Sequence, residues 1–253
     1  MTARVAHLWR HPIKSHGVES VAGADFAAGA TMPWDRVWAI AHEAAKLAPG
    51  AAGWAPCANF SRAAKSPDLI AIRARVDEAA GTVTLTHPRR APITIDPDRP
   101  EDAARLIEWV APLSDPERSR PAFLARAARG MTDTDYPSVS ILGLASLRAL
   151  SERFESPLAM ERFRGNIWLE GLAPWEEFDL IGRSLRIGGA TFRIRERITR
   201  CKATTANPAT GHRDADTLGA LQDGWGHRDF GVYAEVTEGG RVALGDAAVL
   251  EAA

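Results

Sequence analysis

The stretch Arg193-Ile-Arg-Glu-Arg-Ile-Thr-Arg-Cys-Lys-Ala-Thr-Thr-Ala-Asn-Pro-Ala-Thr-Gly211 decides how the rest of the chain is interpreted. Apolar residues and arginines alternate at its start, which is typical of a β-strand, and its end, from Asn207 to Gly211, indicates turns. Cys201 lies between the two, among cationic side chains. Cations stabilise a thiolate, which attacks electrophiles or ligates soft metals. The alternative is a small buried hydrophobe, because free cysteines are among the most buried residues.

Length and composition narrow the class of protein. The 253 residues form one large domain or two modest ones, and 45% hydrophobic with 25% charged residues is ordinary for a globular protein. A net charge of -1 favours neither nucleic acid nor an anionic membrane as a partner. Two cysteines, Cys57 and Cys201, are too few for four-thiol zinc or iron–sulfur patterns, and we interpret Cys57 as structural. With neither a signal-peptide pattern nor a long apolar run, we expect a cytoplasmic protein without membrane contact.

Periodicity predicts an α+β fold that is mostly β. Helices are predicted at 100–110, 144–154 and 216–222. Strands are predicted, among others, at 3–10, 34–41, 69–76, 82–86, 163–170, 184–187 and 190–197, with a closing hairpin of 230–236 and 241–244. Closure into a barrel would hide the edges of so many strands. We place a smaller β-rich domain at residues 1–105 and a barrel-like domain at residues 106–253.

Hydrogen-bond donors recur at predicted turns and strand ends. They are Lys14-Ser15, Arg36, the segment Arg162-Phe-Arg-Gly-Asn166 and Thr204-Thr205. Each alone is more simply explained as a solvated strand end or as turn chemistry. Together, such donors could form a cradle for a phosphate or a carboxylate. A thiolate beside the cradle is what a site needs to hold a metal that is bound to a phosphorylated organic cofactor.

In this order, the motifs resemble those of the MOSC family (molybdenum cofactor sulfurase C-terminal domain), preceded by the β-rich domain that usually accompanies it. The resemblance covers nearly the whole chain and is carried by residues 4–15, 34–40, 162–167, 200–211, 230–233 and 245–246. The cysteine motif at 200–211, with Arg-Phe-Arg-Gly-Asn upstream, is its most specific part. The resemblance implies a β-barrel-like MOSC domain packed with a smaller N-terminal domain.

The resemblance also implies a molybdenum cofactor (Mo-molybdopterin), with Cys201 as the metal ligand and catalytic residue. The amidoxime-reducing components of mitochondria and their bacterial counterparts are similar, so it implies an oxidoreductase that reduces N-hydroxylated or related N-oxygenated small molecules. Electrons would come from a separate reductase or ferredoxin, because the chain ends soon after residue 246. By motif position, the cofactor-binding residues would be Lys14, Ser15, Arg36, Arg164 and Asn166, with supporting roles for Arg200 and Thr204.

Two other functions stay open, and some residues depart from the family pattern. Cys201 could carry a persulfide in a sulfur-carrier or sulfurtransferase protein, or the chain could carry the cofactor without catalysis. Asn207 stands where the motif has Asp, and Gly165 stands where it has Pro. The segment 55–62 also differs from the Thr-x-Arg-Gln loop of the mitochondrial relatives, which bears on the range of substrates.

Overall fold

The computed structural model describes residues 3–251. Strands predominate, as predicted, and three α-helices occur among the described residues. The strands are β1 (Ala3–Arg10), β2 (Ile13–Lys14), β3 (Glu19–Val21), β4 (Gly23–Phe26), β5 (Trp38–His42), β6 (Arg73–Asp77), β7 (Thr82–His87), β8 (Arg90–Ile95), β9 (Pro121–Arg126), β10 (Val139–Gly143), β11 (Ile167–Glu170), β12 (Ser184–Ile187), β13 (Ala190–Thr199), β14 (Asp229–Glu238), β15 (Gly240–Ala243) and β16 (Ala247–Leu250). The helices are α1 (Pro100–Val110), α2 (Leu144–Ser151) and α3 (Thr217–Trp225).

Seven strands close into a barrel, which confirms the predicted fold class. Their order is β11-β10-β14-β13-β12-β16-β1, and β1 pairs with both β16 and β11, so the sheet has no free edge at this point. Inward-facing side chains such as Ile141, Phe192, Ile194 and Val232 are fully buried and fill the interior. Strand β3 extends the sheet beside β1.

Smaller sheets pack beside the barrel and form a second core. Parallel β2–β5 pairing and antiparallel β5–β9 pairing make one sheet, and β6, β7 and β8 make another. Helix α1 begins at Pro100, with Glu101 and Asp102 in its first turn, where proline and acidic residues favour a helix start. Its buried face presents Leu106 and Trp109 to this core.

Both groups of strands cross the boundary proposed between residues 105 and 106. Strand β1, from the start of the chain, completes the barrel, while β9, at Pro121–Arg126, pairs with β5. The division into 1–105 and 106–253 stays a prediction. Strands β1 and β9 therefore pair with strands on the other side of the proposed boundary.

Three predicted strands begin later than expected because tight turns precede them. Those predicted at 34–41, 69–76 and 163–170 begin at Trp38, Arg73 and Ile167. Trp34, Arg36 and Arg164 all have positive φ, which a strand does not accommodate. A 3₁₀-helix, Pro67–Ala71, occupies the start of the second segment. Apolar periodicity does not report these backbone reversals.

The predicted closing hairpin is wrong. Strands β14 and β15 follow each other directly, yet β15 pairs with β4. Gly240 packs so closely on Gly189 that an added Cβ would lie 2.0 Å from the Gly189 carbonyl oxygen. This close backbone approach carries the chain across the barrel end instead of back along β14. Strands β9 and β16 were not predicted.

None of the helices within residues 3–251 is long and apolar enough to cross a membrane.

Candidate functional site

A cavity of about 630 Å³ lies where the turn after β2, the turn before β5 and the end of β13 meet. Seven of the eight predicted site residues line it, although they are spread over nearly 200 positions of sequence. They are Lys14, Ser15, Arg36, Arg164, Arg200, Cys201 and Thr204. The structure therefore brings the predicted cradle and the thiol into one space.

Three of these residues have a left-handed backbone. Ser15 has φ 64°, Arg36 has φ 55° and Arg164 has φ 49°. Such a conformation in a residue other than glycine costs of order 1–3 kcal/mol and persists only where the surroundings enforce it. At Arg36 they do so directly, because its amide donates to the His11 carbonyl at 2.7 Å and its carbonyl accepts from Met131 at 2.6 Å. Strained backbone at three cavity residues supports the interpretation of this cavity as a functional site.

A buried chain of contacts fixes the Arg36 side chain. Its guanidinium pairs with the carboxylate of Asp35 and donates to the Arg164 carbonyl oxygen at 3.0 Å. Asp35 is fully buried and lies 3.1 Å from His11 Nδ1. Burial alone would raise the pKa of Asp35, but the Arg36 charge and the contact with His11 hold it well below its usual range. An ionised Asp35 thus orients Arg36, and Arg36 holds the turn that carries Arg164.

Among the described residues, the Arg164 guanidinium has no direct ion-pair partner. Within residues 3–251 no carboxylate lies within 4.0 Å of its guanidinium, and Nη2 is buried without a hydrogen-bond partner. Burial, followed by repulsion from Arg36, lowers the pKa of Arg164 to about 9. A cation that is partly withdrawn from water and lacks an ion-pair partner is stabilised when an anion enters. Arg164 is therefore the strongest single indication of an anion-binding site.

Arg200 contacts the residue before Arg164. Its Nη1 donates to the Phe163 carbonyl at 2.8 Å and its Nε donates to the Phe230 carbonyl at 2.8 Å. Burial lowers the pKa of Arg200 to about 10. Because these carbonyls occupy its donors, Arg200 positions the residues next to Arg164 and adds positive charge to the cavity.

Lys14 is paired with a cavity residue that the sequence analysis missed. Its Nζ donates to Asp133 Oδ1 at 2.5 Å and to the Met131 carbonyl at 2.7 Å. Desolvation opposes ionisation of Asp133, whose side chain is nevertheless 58% exposed, and the cations Lys14, Arg36 and Arg200 hold its pKa below the usual value. Nothing in the segment Thr-Asp-Thr-Asp distinguishes one aspartate from the other before folding.

Cys201 is exposed to the cavity and opens the 3₁₀-helix Lys202–Thr205. Thr204 Oγ1 donates to the Cys201 carbonyl at 3.1 Å and lies 2.6 Å from Thr217 Oγ1. The Thr204 hydroxyl therefore shapes the turn that carries the thiol. Among the described residues, no three His, Cys, Asp or Glu side chains are grouped so that they could hold a metal ion.

Asn166, the eighth predicted site residue, does not line the cavity and lies behind its wall. Its Oδ1 accepts from the amide of Ser140 at 3.1 Å and from Ser140 Oγ at 2.8 Å, and its Nδ2 donates to the Trp9 carbonyl at 3.1 Å. These bonds join β1, β10 and the start of β11. Asn166 therefore positions the start of β11, the strand that follows Arg164.

Cys57, which the sequence indicates as structural with room for a role in a pocket, lines the same cavity. It begins the 3₁₀-helix Cys57–Asn59 and is only partly buried. Arg62 Nη1 donates to Cys57 Sγ at 3.2 Å. The segment 55–62 does not match the family pattern, so its sequence gives no signal for this placement.

Asn207, which departs from the family motif, fits its neighbours in this chain. Asn207 Nδ2 donates to Asp214 Oδ2 at 2.7 Å, and Asp214 Oδ1 pairs with Arg162 at 2.6 Å. We expect Asn207→Asp to lower the free energy of unfolding by about 1 kcal/mol, because two carboxylates would replace a hydrogen bond. Urea denaturation at neutral pH measures this change. Asp214→Asn should cost less stability in the Asn207→Asp background than in the unchanged protein, and equal costs would contradict the explanation.

Two buried histidines make the protein sensitive to acid. Burial, aided by nearby arginine charge, lowers the pKa of His11 to about 3 and that of His16 to about 4. Between pH 7 and pH 5 the unfolded chain, with ordinary histidine pKa values, binds protons that the folded chain does not, so acid favours unfolding. We expect the free energy of unfolding to fall by about 2 kcal/mol for each histidine over this range.

Denaturation at the two pH values measures this loss of stability. His16→Gln should remove about half of the fall, whereas His212→Gln, at an exposed position, should leave it unchanged. The same pH dependence in His16→Gln and in the unchanged protein would show that His16 does not cause it.

Comparison with known proteins gives two family matches. Residues 2–117 match the MOSC N-terminal beta barrel domain, and residues 131–249 match the MOSC domain. Among curated relatives, the molybdenum cofactor sulfurase of Drosophila melanogaster is 34% identical over 140 residues, which is 51% of this chain and 17% of the relative. That of Anopheles gambiae is 39% identical over 75 residues, 29% of this chain and 10% of the relative. The matched part of this chain thus spans less than a fifth of the length of these relatives.

Solved structures show distant likeness. The YuaD protein from Bacillus subtilis has a TM-score of 0.49 and 15% identity, over 98% of this chain and 94% of that one. YiiM from Geobacillus stearothermophilus has a TM-score of 0.36 and 23% identity, over 45% of this chain and 54% of that one. The two domain matches together extend from residue 2 to residue 249, interrupted only between 117 and 131. The chain belongs to the MOSC family and consists of a MOSC domain preceded by the MOSC N-terminal domain.

Proposed function

We propose that the protein is a molybdenum-cofactor-dependent oxidoreductase that reduces N-hydroxylated or related N-oxygenated small molecules. The observation that carries the proposal is a single cavity that contains both the unneutralised Arg164 guanidinium and the exposed Cys201 thiol. Relatives named molybdenum cofactor sulfurases support the choice of cofactor. Electrons would come from a separate reductase or ferredoxin.

The residues of the cavity fit this cofactor. Its phosphate needs hydrogen-bond donors and positive charge, which the Ser15 hydroxyl and the cations Lys14, Arg36 and Arg164 of the cavity lining would supply. Its metal accepts soft ligands such as a thiolate, and Cys201 can supply one. When bound, the cofactor supplies the two-electron redox chemistry, and the protein supplies orientation and charge balance.

The chain's own residues have distinct tasks in this proposal. Cys201 would ligate the metal, while Arg164 would bind the phosphate because no carboxylate between residues 3 and 251 forms an ion pair with it. Arg36, held by Asp35, would keep the Arg164 turn in place. Asp133 would balance the positive charge of Lys14 and is a poor proton donor at neutral pH, because the surrounding cations favour its ionised form.

Metal analysis and turnover test the proposal together. The protein would be purified without oxygen from a host that overproduces the cofactor, and we expect one molybdenum per chain and reduction of benzamidoxime with an artificial electron donor. Absence of molybdenum from such a preparation would overturn the proposal. A cyanolysable sulfur on a molybdenum-free protein would instead indicate sulfur transfer. Stoichiometric molybdenum without reduction of any N-oxygenated compound would indicate a carrier.

A further inference from the structure

The cavity has more positive charge than the proposed cofactor phosphate requires. Seven lysine or arginine residues line it, and four pair with carboxylates: Lys14 with Asp133, Arg36 with Asp35, Arg162 with Asp214 and Arg197 with Asp229. Within residues 3–251, the other three, Arg62, Arg164 and Arg200, have no carboxylate within 4.0 Å. Backbone carbonyls occupy Arg200, and Arg164 belongs to the phosphate cradle. Arg62 remains as a guanidinium without an anion.

The backbone fixes Arg62 firmly against the sheet that carries the cradle. Ala41 of β5 forms a β-bridge with Phe60, and the Ser61 amide donates to the Ile40 carbonyl at 2.8 Å. The Arg62 carbonyl accepts from two amides of the following turn, each at 2.9 Å. Its Nη1 donates to the Cys57 thiol, and its Nε is buried without a partner. The hydrogen bond to the Cys57 thiol does not neutralise the Arg62 charge.

The segment that carries Arg62 is also attached to the turn that carries Cys201. Arg213 donates to the Ala64 carbonyl at 2.9 Å, to the Thr205 hydroxyl at 2.6 Å and to the Lys202 carbonyl. Farther along this turn, Gly211 (φ 78°) packs on Asp68 so closely that an added Cβ would lie 2.7 Å from the Asp68 Cα atom. Hydrogen bonds from Arg213 therefore link the segment of Arg62 to the turn of Cys201.

Small and apolar residues line the same wall. Ala64 and Ala203 leave room, and the ring of Trp54 provides a flat apolar surface. Trp54 is held by a hydrogen bond from Nε1 to the Thr132 carbonyl at 2.9 Å and by Arg129, whose guanidinium carbon lies 5.0 Å from the ring centre. A planar organic molecule with one anionic end would fit here, with its ring against Trp54 and its anionic end at Arg62.

We propose that Arg62 binds the carboxylate of a planar substrate, whose body lies along Trp54 and whose reducible group points towards Cys201. This inference rests on the proposed function for the identity of the reaction. The binding of the carboxylate rests only on Arg62 and its surroundings. The substrate class would then be N-oxygenated compounds that carry a carboxylate, and neutral amidoximes would be poorer ligands.

Binding of two matched probes tests the inference without any turnover. Benzoate and benzamide have the same ring and differ in charge, and each would be titrated into the purified protein by calorimetry. We expect benzoate to bind the unchanged protein and to bind Arg62→Gln roughly 10- to 100-fold more weakly, the value of a charge-assisted hydrogen bond. Benzamide should bind both proteins equally, and Arg62→Lys should keep part of the preference for benzoate.

Arg164→Asn distinguishes this site from the cradle. We expect Arg164→Asn to weaken benzoate binding less than Arg62→Gln does, because the carboxylate would contact Arg62 directly. If benzoate binding is unaffected by Arg62→Gln, or if it is lost in Arg164→Asn and kept in Arg62→Gln, the inference is overturned. Because no step needs the metal, a failure here is separate from a failure of the molybdenum analysis.

Discussion

Cys201→Ala is expected to yield a folded protein that contains no molybdenum and has lost more than about 100-fold of its reductase activity. The lower bound follows from metal sites in general, where loss of a mere outer-shell partner already costs 10–100-fold. The Cys201 side chain is exposed and makes no side-chain hydrogen bond among the described residues. Its removal should therefore change the free energy of unfolding by no more than about 0.5 kcal/mol.

The matched control is Cys57→Ala, the other thiol of the same cavity. If Cys201 alone ligates the metal, Cys57→Ala should keep its molybdenum. Metal content by mass spectrometry and melting temperature would be measured for both variants from the same host. Molybdenum retained in Cys201→Ala would contradict the assignment, and loss in both variants would mean that the two thiols act together.

Motif order predicted the residues of the cavity better than periodicity predicted their backbone. Cys201, Arg36 and Arg164 were identified from short motifs, and all three line one cavity. Periodicity assigned Arg36 and Arg164 to strands, whereas both lie in left-handed turns just before a strand. A left-handed arginine has no signature in composition or spacing, because its cause is long-range: the carbonyl of His11 and the amide of Met131 impose it.

Contacts between distant segments account for what the sequence could not predict. Barrel closure depends on β1 meeting β11 and β16, more than 150 residues away. Asp133 gains its importance only because Lys14 lies 2.5 Å from it, and Cys57 because its loop folds over the same cavity. Strand β15 pairs with β4, more than 200 residues away, and its Gly240 lies against Gly189, contacts that no local pattern reports.

Arg164→Asn is expected to make the cofactor-free protein more stable while weakening cofactor binding roughly 10- to 100-fold, the value of one or two charge-assisted hydrogen bonds. Asparagine tolerates the left-handed backbone at this position, so the turn itself should persist. The substitution removes a partly buried charge that Arg36 repels and that has no carboxylate within 4.0 Å in the described part of the chain. We therefore expect a gain of about 1 kcal/mol in the free energy of unfolding without cofactor.

Melting temperatures with and without cofactor measure both effects. A ligand stabilises the folded state in proportion to the logarithm of its concentration over its dissociation constant, so weaker binding shrinks the difference between the two melting temperatures. Protein from a host that cannot make the cofactor provides the reference. Arg162→Asn is the matched control: Arg162 lines the same cavity but pairs with Asp214 at 2.6 Å, so its loss should lower stability. If Arg164→Asn also destabilises the cofactor-free protein, the Arg164 charge is satisfied within the fold, and the main support for an anion site at this position is lost.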